Sequence, residues 1–92
     1  MSDEEVFEGR RIPHYGEIWR HFKGKNYFIL APVAEHTETG EKFVVYQALY
    51  EGYGVYVRPL SMFMSKTDKG KYPNATQEFR CQWTRHLRPD GR

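Results

Sequence analysis

The sequence predicts a mainly β fold, a single small five-stranded antiparallel barrel. Three observations predict it. Short runs rich in β-branched and aromatic residues recur along the chain, glycine-bearing turns separate them, and no stretch shows the 3.6-residue apolar period of a long helix. A chain of 92 residues supports one core, because at this size only about 60 to 65% of the unfolded surface is buried. Closing the sheet removes the exposed edges that a flat sheet would offer to other chains.

Residues 1 to 9, MSDEEVFEG, are acidic and aperiodic and read as a flexible arm; residues 10 to 84 make the domain. The first strand is Gly16-Glu17-Ile18-Trp19-Arg20-His21, closed by a Lys23-Gly24-Lys25 turn. The second, Tyr27 to Ala34, is apolar at nearly every position, and Pro32 within it predicts a bend or bulge because proline cannot donate to a ladder. Thr37-Glu38-Thr39-Gly40-Glu41 is a hairpin connection in which Gly40 supplies the positive φ. It leads into the third strand, Lys42 to Tyr50, the richest in β-branched and aromatic residues. After the turn Glu51-Gly52-Tyr53-Gly54, the fourth strand is Val55-Tyr56-Val57-Arg58, ended by Pro59. Alternation puts the valines on one face, where their hydrophobicity assigns them to the core, and Tyr56 with Arg58 on the other.

Leu60 to Met64 is too short for a stable helix and reads as a 3₁₀ turn in which Leu60, Met62 and Phe63 plug the barrel end. Residues 65 to 77, SKTDKGKYPNATQ, read as an exposed loop carrying Lys66, Lys69 and Lys71. The fifth strand is Glu78 to Trp83, with Phe79, Cys81 and Trp83 on one face, and residues 85 to 92 read as a flexible basic tail. A short 3₁₀ turn before the last strand selects an SH3-like barrel, although an OB-like barrel shares the same strand pattern.

The net charge of +2 is too small to demand a nucleic-acid partner, but it is divided unevenly. Residues 1 to 57 hold six Lys/Arg against nine Asp/Glu, and residues 58 to 92 hold eight against three. That split can steer an anionic partner, and solvated tails would equally produce it. The single cysteine, Cys81, excludes an internal disulfide. No signal-like or membrane-length apolar segment is found, so a cytoplasmic location without membrane association is expected. Asn74-Ala75-Thr76 matches a glycosylation sequon that, without a secretory signal, reads as chance.

Catalytic patterns are scarce. The chain has no phosphate-binding glycine loop, no H-E-x-x-H, no nucleophile elbow and no Cys-x-x-Cys pair. His14, His21, His36 and His86 lack metal-ligand spacing, so neither a metal nor another cofactor is expected. Cys81, on the apolar face of its strand, reads as a buried small hydrophobe. Glu35 and Glu41 flank the hairpin and read as solvated, although a like-charge pair there would raise one pKa.

One constellation gathers chemistry from several strands. Trp19 and His21 share a face of strand one, Tyr46 and Tyr50 a face of strand three, and Tyr56 and Arg58 a face of strand four. If these faces meet, they form an aromatic surface ending in a guanidinium, suited to stacking a planar ring and pairing with a carboxylate or phosphate. The alternative is a structural Arg58, paired with an acid such as Glu17 and covering aromatic rings.

The strings WRHFKGK-x-Y (Trp19 to Tyr27), HTETGE (His36 to Glu41), VVYQALY (Val44 to Tyr50) and VRPLSMF (Val57 to Phe63) resemble a family of short bacterial and phage proteins known as a domain of unknown function, DUF1653. The resemblance covers roughly residues 16 to 64 and implies a compact, mainly β domain. It carries Arg20, His21, Lys23, Gly24, Tyr27, His36, Glu38, Tyr46, Leu49, Tyr50, Arg58, Pro59 and Phe63, and this chain has Tyr56 where relatives often have Trp.

The expected function is therefore a non-enzymatic binding module, monomeric or weakly dimeric. Its ligand face would be Trp19, His21, Tyr46, Tyr50, Tyr56 and Arg58, beside the basic loop of Lys66, Lys69 and Lys71. The partner classes are a protein segment, a nucleotide or single-stranded nucleic acid. Two other classes stand beside it: a small hydrolase-like enzyme with His21 or His36 as base and Arg58 as anion holder, and a structural or oligomeric accessory protein.

Overall fold

The computed structural model of the chain describes residues 6–85 and residue 87. Its elements run β1 (Val6–Phe7), β2 (Arg10–Arg11), β3 (Ile18–His21), β4 (Asn26–Glu35), β5 (Lys42–Ala48), β6 (Val55–Pro59), α1 (Leu60–Phe63) and β7 (Cys81–Trp83). β3 to β6 form an antiparallel meander and β7 returns beside β3, giving the order β6-β5-β4-β3-β7. The strand pairing is antiparallel throughout, as the tight turns require. No helix among the described residues is long and apolar enough to cross a membrane.

Pro32 marks an irregularity, as expected: the β4–β5 register shifts between Ile29 and Ala31 and again between Ala31 and Ala34. Gly40 takes φ +76° in the hairpin that returns β4 into β5. Glu35 and Lys42 form an ion pair across that hairpin, so Glu35 has a cationic partner rather than a second carboxylate.

Four expectations are corrected. The sheet does not close into an SH3-like barrel, since β6 pairs only with β5 and β7 only with β3 among the described residues. β7 is three residues long and β6 ends at Pro59, which has no N–H with which to extend a ladder. The turn at residues 60 to 64 is α rather than 3₁₀, because the Met64 N–H donates to the Leu60 carbonyl at 3.0 Å. Of the expected plug residues, Phe63 is buried and Leu60 packs against the core, whereas Met62 is exposed and Met64 is buried in its stead.

The fourth correction concerns β6. Val55 and Val57 are 57% and 62% exposed, and the opposite face, Tyr56 and Arg58, lies on the core side, where Tyr56 pairs with buried Tyr46 and Arg58 with buried Val44. β5 sets this phase: its inward residues are Val44, Tyr46 and Ala48, and register places every other β6 residue beside them.

The acidic arm falls partly outside the described residues. Val6 and Phe7 pair with Arg10 and Arg11 in a short hairpin, and two arginines tie it to the domain. Arg10 stacks 3.7 Å from the Phe79 ring centroid and donates to the carbonyls of Met64 and Cys81. Arg11 pairs with Glu17 and lies over Trp83. Glu17 also accepts from the Trp19 indole and the His14 N–H. Burial raises the Glu17 pKa, but these hydrogen bonds and the Arg11 charge outweigh it and hold the carboxyl below its usual range. Glu17 is thus the partner of Arg11 and not of Arg58. The basic tail, apart from Arg85 and Leu87, lies outside the described residues.

Candidate anion-binding pocket

The β3–β4 turn is tight: the His21 N–H donates to the Lys25 carbonyl, the Gly24 N–H donates to the His21 carbonyl, and Gly24 adopts φ +95°. This geometry leaves Lys23 and Lys25 exposed on either side of the turn. The long connection from α1 to β7 is pinned at its base, where the Thr67 N–H donates to the Glu78 carbonyl and the Arg80 N–H to the Ser65 carbonyl. Within it, the Tyr72 N–H donates to the Asp68 carbonyl, the Lys69 ammonium to the Ala75 carbonyl, and the Gln77 amide to the Arg20 carbonyl. This ordered loop packs Tyr72 on Phe22, with ring centroids 4.8 Å apart.

Between the turn, the loop and the sheet lies a cavity of about 340 Å³. Arg58, His21 and Tyr27 line it from the strands, Phe22, Tyr50 and Tyr72 supply aromatic walls, and Lys23, Lys25 and Arg80 complete it. No Asp or Glu lines it. The Arg58 Nη1 atom is buried and has no hydrogen-bond partner, and Arg58 has no carboxylate partner among the described residues. Lys25 places its ammonium 4.7 Å from the Tyr50 ring centroid, and Lys23 lies 5.1 Å from that of Tyr72. Cations are held over aromatic faces here with no neutralising acid.

His21 registers this field. Burial, followed by the charges of Arg58, Arg80 and Lys23, lowers its pKa to about 4. Its Nδ1 accepts the Lys23 N–H at 3.1 Å, so the neutral ring carries its proton on Nε2 and is a donor there. Tyr27 and Tyr46 are raised, chiefly by burial, and for Tyr46 the adjacent Arg58 partly opposes the rise. Burial likewise pushes the Cys81 thiol up to about 12, which leaves it a poor nucleophile.

A pH prediction follows from His21. Unfolded histidine titrates near 6.5 and the folded residue near 4, so between those values the unfolded state binds more protons. Stability is complete above about pH 7 and falls as pH drops from 6.5 toward 4, by about 2 kcal/mol once solvent in the open cavity is counted. Denaturant melts at pH 7, 6 and 5 check this; a flat profile that is unchanged in His21→Gln would contradict it.

The structure brings His21, Tyr50 and Arg58 together in one pocket, on the core side of β6 and not on an open outer face. Trp19 and Tyr46 are only 2% and 3% exposed, so they support the site from within the core and cannot stack on a ligand. Tyr56 is half exposed beside Tyr46, its ring lying over Gly54, where a Cβ would come within 2.5 Å of the Tyr56 hydroxyl. Of the basic loop, Lys71 stays near Tyr72, Lys69 is engaged with Ala75, and Lys66 bridges to Phe79; none of them lines the cavity. His36 lies outside it, accepting from the Glu38 and Thr39 N–H groups. Sequence reasoning missed Phe22, Lys23, Lys25, Tyr27, Tyr72 and Arg80 as site residues. The flanks of the Lys23-Gly24-Lys25 turn were the available signal, whereas nothing in the loop sequence points Tyr72 at Phe22.

Among the described residues no group of three or more His, Cys, Asp or Glu could hold a metal. The family model described as a protein of unknown function (DUF1653) matches residues 17–88, which extends the likeness well beyond the four motifs. No curated protein and no solved structure matches the chain.

Proposed function

We propose that this chain, which belongs to the DUF1653 family, is a non-enzymatic binding module that takes an anionic group, a phosphate or carboxylate, in the pocket at Arg58. The observation that carries this reading is the gathering of Arg58, Arg80, Lys23 and Lys25 around one cavity with no carboxylate lining it. Bringing four cations together costs free energy that an acid normally offsets, and a guanidinium atom buried without a partner adds the loss of its hydration. An anion in the cavity would supply both the charge and the acceptor, with the His21 Nε2–H and the Tyr27 and Tyr50 hydroxyls as neutral donors.

The hydrolase-like alternative draws less support. The Cys81 thiol is buried and protonated, His36 lies elsewhere, and His21 faces cations without an acid to orient it.

Titration of the labelled protein with inorganic phosphate, followed by NMR at fixed ionic strength, tests the reading. Saturable shifts are expected at the His21 ring, Tyr27 and Tyr50, with affinity falling as salt screens the rim. Phosphate and acetate that both leave these resonances unmoved would overturn it.

A further inference from the structure

A second cavity, of about 330 Å³, adjoins the first, and the two share Phe22 and Tyr72 as a common wall. Its other lining residues are Lys71, Pro73, Asn74 and Ala75. The two chambers differ in chemistry. The first offers cations and hydrogen-bond donors; the second offers apolar and aromatic surface with a single amide, Asn74, which both donates and accepts. Positive charge continues across the wall, since Lys23 approaches the Tyr72 ring to 5.1 Å from one chamber and Lys71 to 5.8 Å from the other.

An inorganic oxyanion fills a small part of the first chamber and none of the second. A ligand occupying both has an anionic head and a flat body whose edge can exchange hydrogen bonds. It also has a spacer, because the packed Phe22–Tyr72 pair stands between the chambers. A phosphate joined directly to an aromatic ring would hold both parts in the first chamber. A sugar between phosphate and ring provides the required step.

We infer, resting on the reading of the Arg58 pocket as an anion site, that the two chambers together take a phosphorylated nucleoside: the phosphate near Arg58, and the base against Tyr72 and Pro73 with its edge toward Asn74. The same chemistry comes either as a free mononucleotide or as the 5′-phosphorylated end of a strand. Base stacking on an aromatic side chain tolerates any base, so weak base preference is expected.

Titrations with inorganic phosphate, ribose 5-phosphate, AMP, UMP, O-phosphotyrosine and a 5′-phosphorylated trinucleotide test it. AMP and UMP are expected to bind about tenfold or more tightly than ribose 5-phosphate, as stacking of one base implies, and to shift the Asn74 side-chain amide. Asn74→Ala, exposed and lining the second chamber alone of the two, should reduce that gain while leaving ribose 5-phosphate affinity within about twofold; Tyr72→Ala, which removes a wall common to both chambers, should weaken AMP and ribose 5-phosphate together. A trinucleotide tighter than AMP assigns the strand end, and equal affinities assign the free nucleotide. If AMP and ribose 5-phosphate bind equally, or phosphotyrosine matches AMP, this inference falls while the anion pocket stands. If inorganic phosphate, ribose 5-phosphate and AMP all fail to bind, both fall.

Discussion

Replacing Arg58 with methionine is expected to make the protein more stable and less able to bind anions. Methionine keeps much of the length and apolar contact of the arginine stem while removing its charge. With no anion beside it, that charge faces Arg80, Lys23 and Lys25, and although the guanidinium hydrogen-bonds Tyr46, its Nη1 atom has no hydrogen-bond partner. An uncompensated charge of this kind is a standing cost, and apolar replacement of buried charges is often neutral or stabilising. We expect a gain of about 1 kcal/mol, visible as a melting temperature about 4 to 8 °C higher for a domain of this size. Phosphate binding should weaken by about 1.5 to 3 kcal/mol, roughly tenfold to a hundredfold, the usual cost of losing a hydrogen bond to a charged group.

The two measurements together discriminate between roles. A structural arginine, satisfied by the fold, would destabilise the protein on removal and leave anion affinity alone. Saturating phosphate should also raise the melting temperature of the wild type and not of the variant, because only a ligand that binds the folded state stabilises it. Arg58→Lys is expected to retain part of the affinity, since it keeps the charge but loses the planar fork. An Arg58→Met protein that is less stable and binds phosphate normally would refute the assignment.

The strand pattern was legible because alternation and glycine turns are local. The phase of β6 was not. Period two says that Val55 and Val57 oppose Tyr56 and Arg58, but which pair faces inward is fixed by the neighbouring strand, and Val44 and Tyr46 of β5 select the tyrosine and the arginine. Hydrophobicity alone pointed the other way, since two valines are ordinarily the better core residues. The pocket was legible in part for a similar reason. His21, Tyr50 and Arg58 come from strand patterns or their immediate ends, whereas Lys23 and Lys25 belong to a turn that reads as punctuation. Tyr72 and Arg80 enter through a connection whose hydrogen bonds join residues 65 and 67 to 80 and 78, contacts with no local sequence signature. Closure failed for a further non-local reason, the shortness of β7 against the longer strands it would have to meet.

Phe63→Ala is expected to be the most destabilising single change in the domain. The side chain is fully buried, with ring centroids 5.7 Å from both Trp19 and Tyr46. Removing it deletes the aromatic contact and leaves a void that the surrounding rings cannot fill, at a cost of about 3 to 5 kcal/mol. A domain of this size has only about 5 to 15 kcal/mol in total, so much of its stability rests on one ring. The loss also acts locally: a one-turn helix has no stability of its own and is held by the residue it buries. Releasing Leu60–Phe63 frees the end of β6 that carries Arg58 and withdraws support from Tyr46, so anion binding should weaken as well. Phe63→Leu, which keeps most of the volume, should cost less than half as much. Met62→Ala, one position away but 47% exposed, should fall within about 0.5 kcal/mol of wild type. Urea melts of the three variants measure this ranking; a loss below about 1 kcal/mol for Phe63→Ala, or an equal loss for Met62→Ala, would show that the turn plugs the sheet with a different side chain.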